Sequence, residues 1–396
     1  MFPKLRFKEF DGDLTESKLV ELTSWASGGT PAKDVPEYWG DGIPLISGAS
    51  MHTNQLYESD VKITKLGLQK GSKLALKDSI LILVRGSMLF NKIPMGITLG
   101  DVAFNQDVKC IRPKQQLAPL FLFQWLHAKE NTIQNKVTAT GIGAGKLDTA
   151  DLQNLKLYKP SLEEQTKIAT FLSAVDEKIS QLTQKHQLLR EYKQGMMQKL
   201  FSQQVRFKAD DKSEFGEWEE KELKDIAEIN PKSKKLPESF IYIDLESVEK
   251  GQLLLQKNIE LQDAPSRAQR LLAKGDVLFQ MVRPYQQNNY YFNLSGEYVA
   301  STGYAQIRTK LDSKFIYYAL HEKTFLDEVM NRCTGTSYPA INSSDLSSIE
   351  ILIPCLEEQT KIANFLSSID QKIEVVAQQI EQAKQWKKGL LQQMFV

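Results

Sequence analysis

Leu162-Glu-Glu-Gln-Thr-Lys-Ile-Ala-Thr-Phe-Leu172 returns later in the chain as Leu356-Glu-Glu-Gln-Thr-Lys-Ile-Ala-Asn-Phe-Leu366. At a constant offset of 194 the match runs without a gap from Thr140/Thr334 to Phe201/Phe395, keeping Gly141/Gly335, Asp151/Asp345, Pro160/Pro354 and Gly195/Gly389. Chance does not produce that, so the chain is a duplicated unit. In the first copy apolar residues fall at Ile168, Leu172, Val175, Ile179, Leu182, Leu189, Met196 and Leu200, with His186 and Lys193 in phase. The second copy keeps the phase with Ile362, Leu366, Ile369, Ile373, Val376, Ile380, Ala383, Leu390 and Met394, and places Lys387 where Lys193 stands. This is a heptad seam. Each copy predicts a helix of roughly 40 residues, about 60 Å long, opening after Pro160 or Pro354 with glutamates that complement its dipole. A rod with one apolar stripe needs a partner, and the nearest is its own copy. The two seam lysines either form register-setting polar layers or snorkel out to water.

The duplication reaches the whole chain. Leu5-Arg-Phe-Lys8 corresponds to Val205-Arg-Phe-Lys208, and Asp78-Ser-Ile-Leu-Ile-Leu-Val-Arg85 aligns with Asp276-Val-Leu-Phe-Gln-Met-Val-Arg283. The latter pair predicts a short buried strand ending in arginine in each copy. Phe121–His127 and Phe315–His321 have helical spacing. The organisation is therefore a first body over residues 1–159, a central helix over 160–204, a second body over 205–353 and a last helix over 354–396. Strands and helices mix within each body, which is an α+β class with long helices as spacers. The bodies diverge where turns are expected: Ser27-Gly-Gly-Thr-Pro31 and Tyr38-Trp-Gly-Asp-Gly42 in the first, Asn230-Pro-Lys-Ser-Lys-Lys235 and Arg283-Pro-Tyr-Gln-Gln-Asn-Asn-Tyr-Tyr291 in the second.

Composition bounds the function. With 41% apolar and 25% charged residues the chain reads as an ordinary globular protein of at least two domains. It lacks an 18-residue apolar run and a signal-peptide pattern at Met1-Phe-Pro-Lys-Leu-Arg6, so the expected place is the cytoplasm, with no membrane. Cys110, Cys333 and Cys355 show no disulfide or zinc spacing. A net charge of +1 argues on its face against a nucleic-acid binder, but residues 1–159 carry a modest basic excess, and the acids of the second half concentrate between Asp210 and Glu228. A basic surface must be argued from positions.

Thr140-Gly-Ile-Gly-Ala-Gly-Lys146 fails as a phosphate loop, because threonine occupies the first glycine position and Leu147 follows the lysine. It reads better as a glycine-rich loop beside a binding surface, or as a plain connection. Gly28-Gly29 is either a phosphate-contacting turn or a tight turn. The cluster Gln286-Gln287-Asn288-Asn289 lies between Arg283 with Tyr285 and Tyr290 with Tyr291; amides pair bidentately with adenine and arginine with guanine, though an amide-rich hairpin tip has the same composition. His127 and His321 match in the two copies but have no second ligand at helical spacing, so they read as packed or surface histidines and no metal is expected. No Asn-Pro-Pro-Tyr or Asp-Pro-Pro-Tyr tetrapeptide, helicase or nuclease motif is present, and the chain by itself is expected to do no chemistry.

These residues resemble the specificity subunits of type I restriction-modification systems. The resemblance rests on Gly28-Gly-Thr-Pro31 with Tyr38-Trp39, on Pro160-Ser-Leu-Glu-Glu-Gln-Thr-Lys-Ile-Ala169 with Phe171-Leu172, and on Pro354-Cys-Leu-Glu-Glu-Gln-Thr-Lys-Ile-Ala363 with Phe365-Leu366. It implies two target-recognition domains, each reading one half of a split site on double-stranded DNA, separated by an antiparallel coiled coil that binds two modification subunits and sets the half-site spacing. Those partners bring S-adenosylmethionine and methylate adenine N6; two restriction subunits bring ATP and magnesium; this chain binds no cofactor. The candidate DNA contacts are Gly29, Thr30, Lys33, Trp39, Arg85, Thr140, Gly141 and Lys146 in the first body. In the second they are Lys232, Lys234, Arg283, Tyr285, Gln286, Gln287, Asn288, Asn289, Thr334, Thr336, Ser337 and Tyr338. The candidate partner-binding and coiled-coil residues are Ile168, Leu172, Val175, Ile179, Leu182, Leu189, Ile362, Leu366, Ile369, Ile373, Val376 and Ile380. The competing readings are an autonomous DNA methyltransferase or endonuclease with an unrecognised site, and a coiled-coil scaffold that does not bind DNA.

Overall fold

A computed structural model describes residues 3–141, 143–233 and 235–395. Two helices dominate it, a central one over Leu162–Phe201 and a C-terminal one over Leu356–Met394. The chain divides into two compact units: residues up to Thr183 together with those from Gln378, and Gln184–Ala377. Each unit thus holds one body, the first half of the helix that follows it, and the second half of the other helix.

The bodies share one core topology, to which the first adds the edge strand Gln55–Leu56. In the first, a sheet orders Thr23–Ser27, Val108–Pro113, Ile80–Leu83, Met95–Thr98 and Gln55–Leu56, and a second sheet orders Lys62–Ile63, Trp39–Ile46, Val102–Phe104 and Lys73–Ala75. In the other, Ala227–Ile229, Tyr304–Thr309, Val277–Gln280 and Tyr290–Tyr291 form one sheet, and Lys257–Glu260, Ser239–Ile243, Tyr298–Ser301 and Ala268–Leu271 the second. Even the parallel pair in the second sheet recurs, as Ala103 opposite Leu45 and Ile241 opposite Tyr298. The aligned apolar runs are the strands Ile80–Leu83 and Val277–Gln280, buried at every position because each has neighbours on both edges and both faces. The matched helical segments form Pro119–Ala128 and Ser313–Ala319, the latter ending two residues before His321.

The repeated motifs turn out to clasp one another. Glu164, 2% exposed, takes a bidentate pair from Arg6 at 2.7 and 2.8 Å, and Glu358 takes the matching pair from Arg206 at 3.1 and 2.7 Å. Phe7 meets Phe171 edge-on with ring centroids 5.7 Å apart, as Phe207 meets Phe365. Gln165, fully buried, accepts from the Ala118 N–H at 2.9 Å and donates to the Pro160 carbonyl at 3.0 Å; Gln359 does the same with Asp312 and Pro354. Only the first glutamate of each Glu-Glu pair is therefore left to complement the helix dipole. The second is a buried ion-pair partner that fixes the body to its helix.

The heptad seam also divides its labour. Ile168, Leu172 and Val175 enter the first body's core beside Phe121 and Trp125, and Ile362, Leu366 and Ile369 enter the second beside Phe315. Each core is closed by the far end of the other helix. Phe395 packs on Phe121 with centroids 5.4 Å apart, and Phe201 on Phe315 at 5.5 Å. Burying one such ring contributes roughly 1.5–3 kcal/mol. Those six seam residues, expected in a coiled coil or against partners, pack within the chain, where the body adds the apolar cover that a lone rod lacks. Leu182, Val376 and Ile380 are also buried, while Ile179, Leu189 and Ile373 are half-buried. Among the described residues no helix is long and apolar enough to cross a membrane.

Candidate nucleic-acid interface

In the first unit the strand Ile80–Leu83 continues into Arg85–Gly86, which pairs with Gly145–Lys146, which pairs in turn with Thr138–Ala139. This three-stranded ribbon gathers Arg85, Lys146, Thr140 and Gly141 at one place. The register sets Lys146 directly opposite Arg85. Both are exposed, and neither has a carboxylate within 4.0 Å among the described residues. Like charges facing across an antiparallel ladder destabilise it, so the ribbon carries a cost that an anion would remove. The loop above it is closed by the Thr140 N–H donating to the Ala144 carbonyl at 2.8 Å.

The other first-body residues lie elsewhere, and two of them serve packing. The Gly29 N–H, which a phosphate turn would present, donates to the Phe104 carbonyl at 3.0 Å. A Cβ on Gly29 would stand 2.4 Å from the Gly71 carbonyl oxygen, so glycine is required there for backbone approach. Trp39 packs with Ile43 and Leu68 against Leu45 and Ile63, and its indole N–H donates to the Ala32 carbonyl at 2.9 Å. Thr30 donates to the Gln106 side chain at 2.7 Å. Lys33 remains exposed. Lys70 and Lys73, on either side of the Gly71-Ser72 backbone that meets this loop, are exposed, and the sequence analysis did not single them out.

In the second unit the ribbon is reduced to bridges from Val282 to Ala340 and from Thr334 to Ala340, with the Arg283 N–H donating to the Pro339 carbonyl at 2.7 Å. Arg283 adopts a left-handed backbone, φ 54°, which turns the chain sharply out of its strand. Its guanidinium stacks on Tyr338, 4.3 Å from the ring centre. Tyr338 is 64% exposed and Tyr285 50%, and Thr334, Thr336 and Ser337 are exposed beside them. An arginine on an aromatic face keeps its donor edge free, which suits bidentate contact with a base.

Within the amide cluster Asn289 is buried, Gln287 and Asn288 are half-buried and Gln286 is exposed, and each side chain bonds within the protein, as an amide-rich hairpin tip would. Asn289 is 1% exposed; its oxygen accepts from the Gln280 N–H at 2.8 Å. Gln280, itself buried, donates to Gln286 Oε1 at 2.9 Å and accepts from the Asn288 N–H at 3.0 Å. The Asn288 side chain accepts from the Lys250 N–H, and Gln287 donates to the His321 carbonyl at 3.4 Å. These amides hold a loop whose backbone has few strand partners. Gln280 was the missed hub: a glutamine inside an otherwise apolar strand run was the signal. His321, packed against Tyr317 and Asn289, is driven by burial down to a pKa of about 4. Lys232 is exposed, and Lys234 lies outside the described residues.

Comparison with known proteins identifies the family. The family described as type I restriction modification DNA specificity domain matches twice, over residues 12–190 and 216–385. The type I restriction enzyme MjaVIII specificity subunit of Methanocaldococcus jannaschii is 27% identical over 97% of this chain and 94% of its own. The EcoR124I/EcoR124II specificity subunit of Escherichia coli is 29% identical over 46% of this chain and 45% of its own. Among solved structures, the S subunit of a type I restriction-modification system from M. genitalium superposes with a TM-score of 0.63 at 18% identity, covering 100% of this chain and 99% of that one. A chain from a structure of type I system assembly gives 0.56 at 17%, covering 96% and 97%. With two family matches spanning most of its length and one fold repeated in both bodies, the chain belongs to the type I restriction-modification DNA specificity family.

Proposed function

We propose that each body reads one half of a bipartite, asymmetric site on double-stranded DNA through the ribbon that follows its central strand. The observation that carries this is the opposed pair Arg85 and Lys146, two exposed cations held face to face with no carboxylate within 4.0 Å among the described residues. In the second body the corresponding place is taken by Arg283 on Tyr338. Unlike tips on one scaffold fit unlike half-sites. The specificity family is non-catalytic. In the assembly proposed here two modification subunits supply S-adenosylmethionine and the adenine-N6 methyl transfer, and two restriction subunits supply ATP-dependent cleavage with magnesium. The long helices carry the modification subunits and set the distance between half-sites, and the complex works in the cytoplasm.

The test is exchange of the second body for that of a relative, followed by methylome sequencing. The graft should begin after Lys208 and end at Ile353, leaving Arg206 to hold Glu358. One half of the methylated sequence should change and the other stay. If both halves changed together, the modular reading would fail; methyl transfer by the purified chain alone would favour an autonomous enzyme instead.

A further inference from the structure

We infer that Asp176 with Lys387 and Asp370 with Lys193 form one register lock used twice, and that these four side chains are positioning residues for the spacing of the split site. In the first unit Lys387 Nζ lies 2.6 Å from Asp176 Oδ1, while Asp176 Oδ2 accepts from Gln124 Nε2 at 2.8 Å. In the second, Lys193 Nζ lies 2.6 Å from Asp370 Oδ1, Asp370 Oδ2 accepts from the Tyr318 hydroxyl at 2.7 Å, and the lysine sits 5.1 Å from the centre of the Tyr318 ring. Gln124 and Tyr318 are themselves matched residues at the offset of 194. Each aspartate therefore ties three things together: its own helix, the antiparallel segment of the other helix, and its body. The lysine side chains are only 11% and 22% exposed, so they do not snorkel into water.

Asp176 and Lys193 are 17 residues apart in one helix, as are Asp370 and Lys387 in the other, so a single antiparallel register satisfies both pairs. An apolar heptad seam alone does not choose that register, because a slip of seven residues brings like positions back into contact. The lock does choose. One heptad slip sets Lys387 against Thr183 and Lys193 against Ala377; the opposite slip sets them against Ala169 and Ala363. Either way two shielded ammonium groups lose their carboxylates, and an unpaired shielded charge is far costlier than a lost surface pair.

The inference rests on the proposed role of the helices in spacing, and the test separates the two. It uses the full chain with its modification subunits, Cys333 and Cys355 being replaced by serine. One cysteine pair, Ser180→Cys with Ala383→Cys, reports the observed register; another, Ser173→Cys with Ala383→Cys, reports a heptad slip. In the parent only the first should cross-link. Asp176→Asn with Asp370→Asn keeps a group for Gln124 and Tyr318 to bond but removes both charges; the slipped cross-link should rise at least tenfold, and the methylome should show mixed spacers. Exchanging the charges within both pairs should return a single register and a single spacer. A lone native cross-link in the asparagine variant would overturn the lock. A slipped register with an unchanged spacer would support the lock and overturn the spacing role of the helices.

Discussion

Arg85 and Lys146 oppose each other on a ladder that is better off without one of them, and this gives an expected outcome of mixed sign. Lys146→Glu should stabilise the free chain by roughly 0.2–1 kcal/mol, since it turns facing like charges into a cross-strand ion pair. The same change should weaken DNA binding and flatten its salt dependence, because a cation near phosphate has become an anion. Thermal melts with binding isotherms at several salt concentrations check both signs. Arg283→Ala should cost about 1–3 kcal/mol on cognate DNA and much less on scrambled DNA. Gln287→Ala should act through the loop it braces, lowering affinity for both DNAs together. His321 supplies a pH dependence. Its folded pKa of about 4 lies below the ordinary 6.5, so the unfolded chain binds more protons between those values. Stability of the second unit is thus whole above pH 6.5 and falls by roughly 1–3 kcal/mol as pH drops towards 4; His321→Gln should flatten that slope in acid unfolding. Residue type marks side chains with the chemistry to contact DNA, but not where they point. Asn289 and Gln286 have the chemistry of adenine readers, yet the backbone N–H of Gln280 bonds the first and its side chain the second.

At the scale of elements, periodicity located both long helices, because an apolar stripe every 3.5 residues is a property of the sequence itself. What covers the stripe is not. Ile168 and Leu172 obey the seam as well as Leu182 does, but the first two are roofed by the body's own Phe121 and Trp125, a tertiary event that no local pattern reports. The repeated Glu-Glu showed the same limit. Its position at a helix start fits a dipole role, and only the fold brings Arg6 onto Glu164 and Arg206 onto Glu358. A buried bidentate pair is costly to break from one side. Glu358→Gln should destabilise the second unit by about 1.5–3 kcal/mol, since it removes the charge that Arg206 pairs with and loosens the Trp218 indole that donates to the same carboxylate at 3.1 Å. Adding Arg206→Met to that variant should recover a large part of the loss. Chemical denaturation of the single and double variants checks the cycle, and additive losses would remove the clasp from the account.

For the whole molecule, the duplication fixes where length can be added without disturbing either body. The boundary between the two units falls after Thr183 in one helix and after Ala377 in the other, positions related by the same offset of 194. Both lysine–aspartate pairs, both arginine–glutamate clasps and the Phe121–Phe395 and Phe201–Phe315 contacts lie within single units. Seven residues of matching heptad inserted at both boundaries therefore leave every one of these contacts intact and preserve the seam, because a whole heptad restores the phase. The insertion adds at most about 10 Å of helix at 1.5 Å per residue. DNA rises about 3.4 Å per base pair, so the methylated sequence should keep both half-sites while the gap between them widens by two or three base pairs. The same insertion in the central helix alone leaves the other strand of the pair seven residues short, and should abolish methylation. Methylome sequencing of the two variants decides the matter. An unchanged gap in the doubly extended chain, with its melting temperature retained, would mean that the helices carry partners without measuring the site.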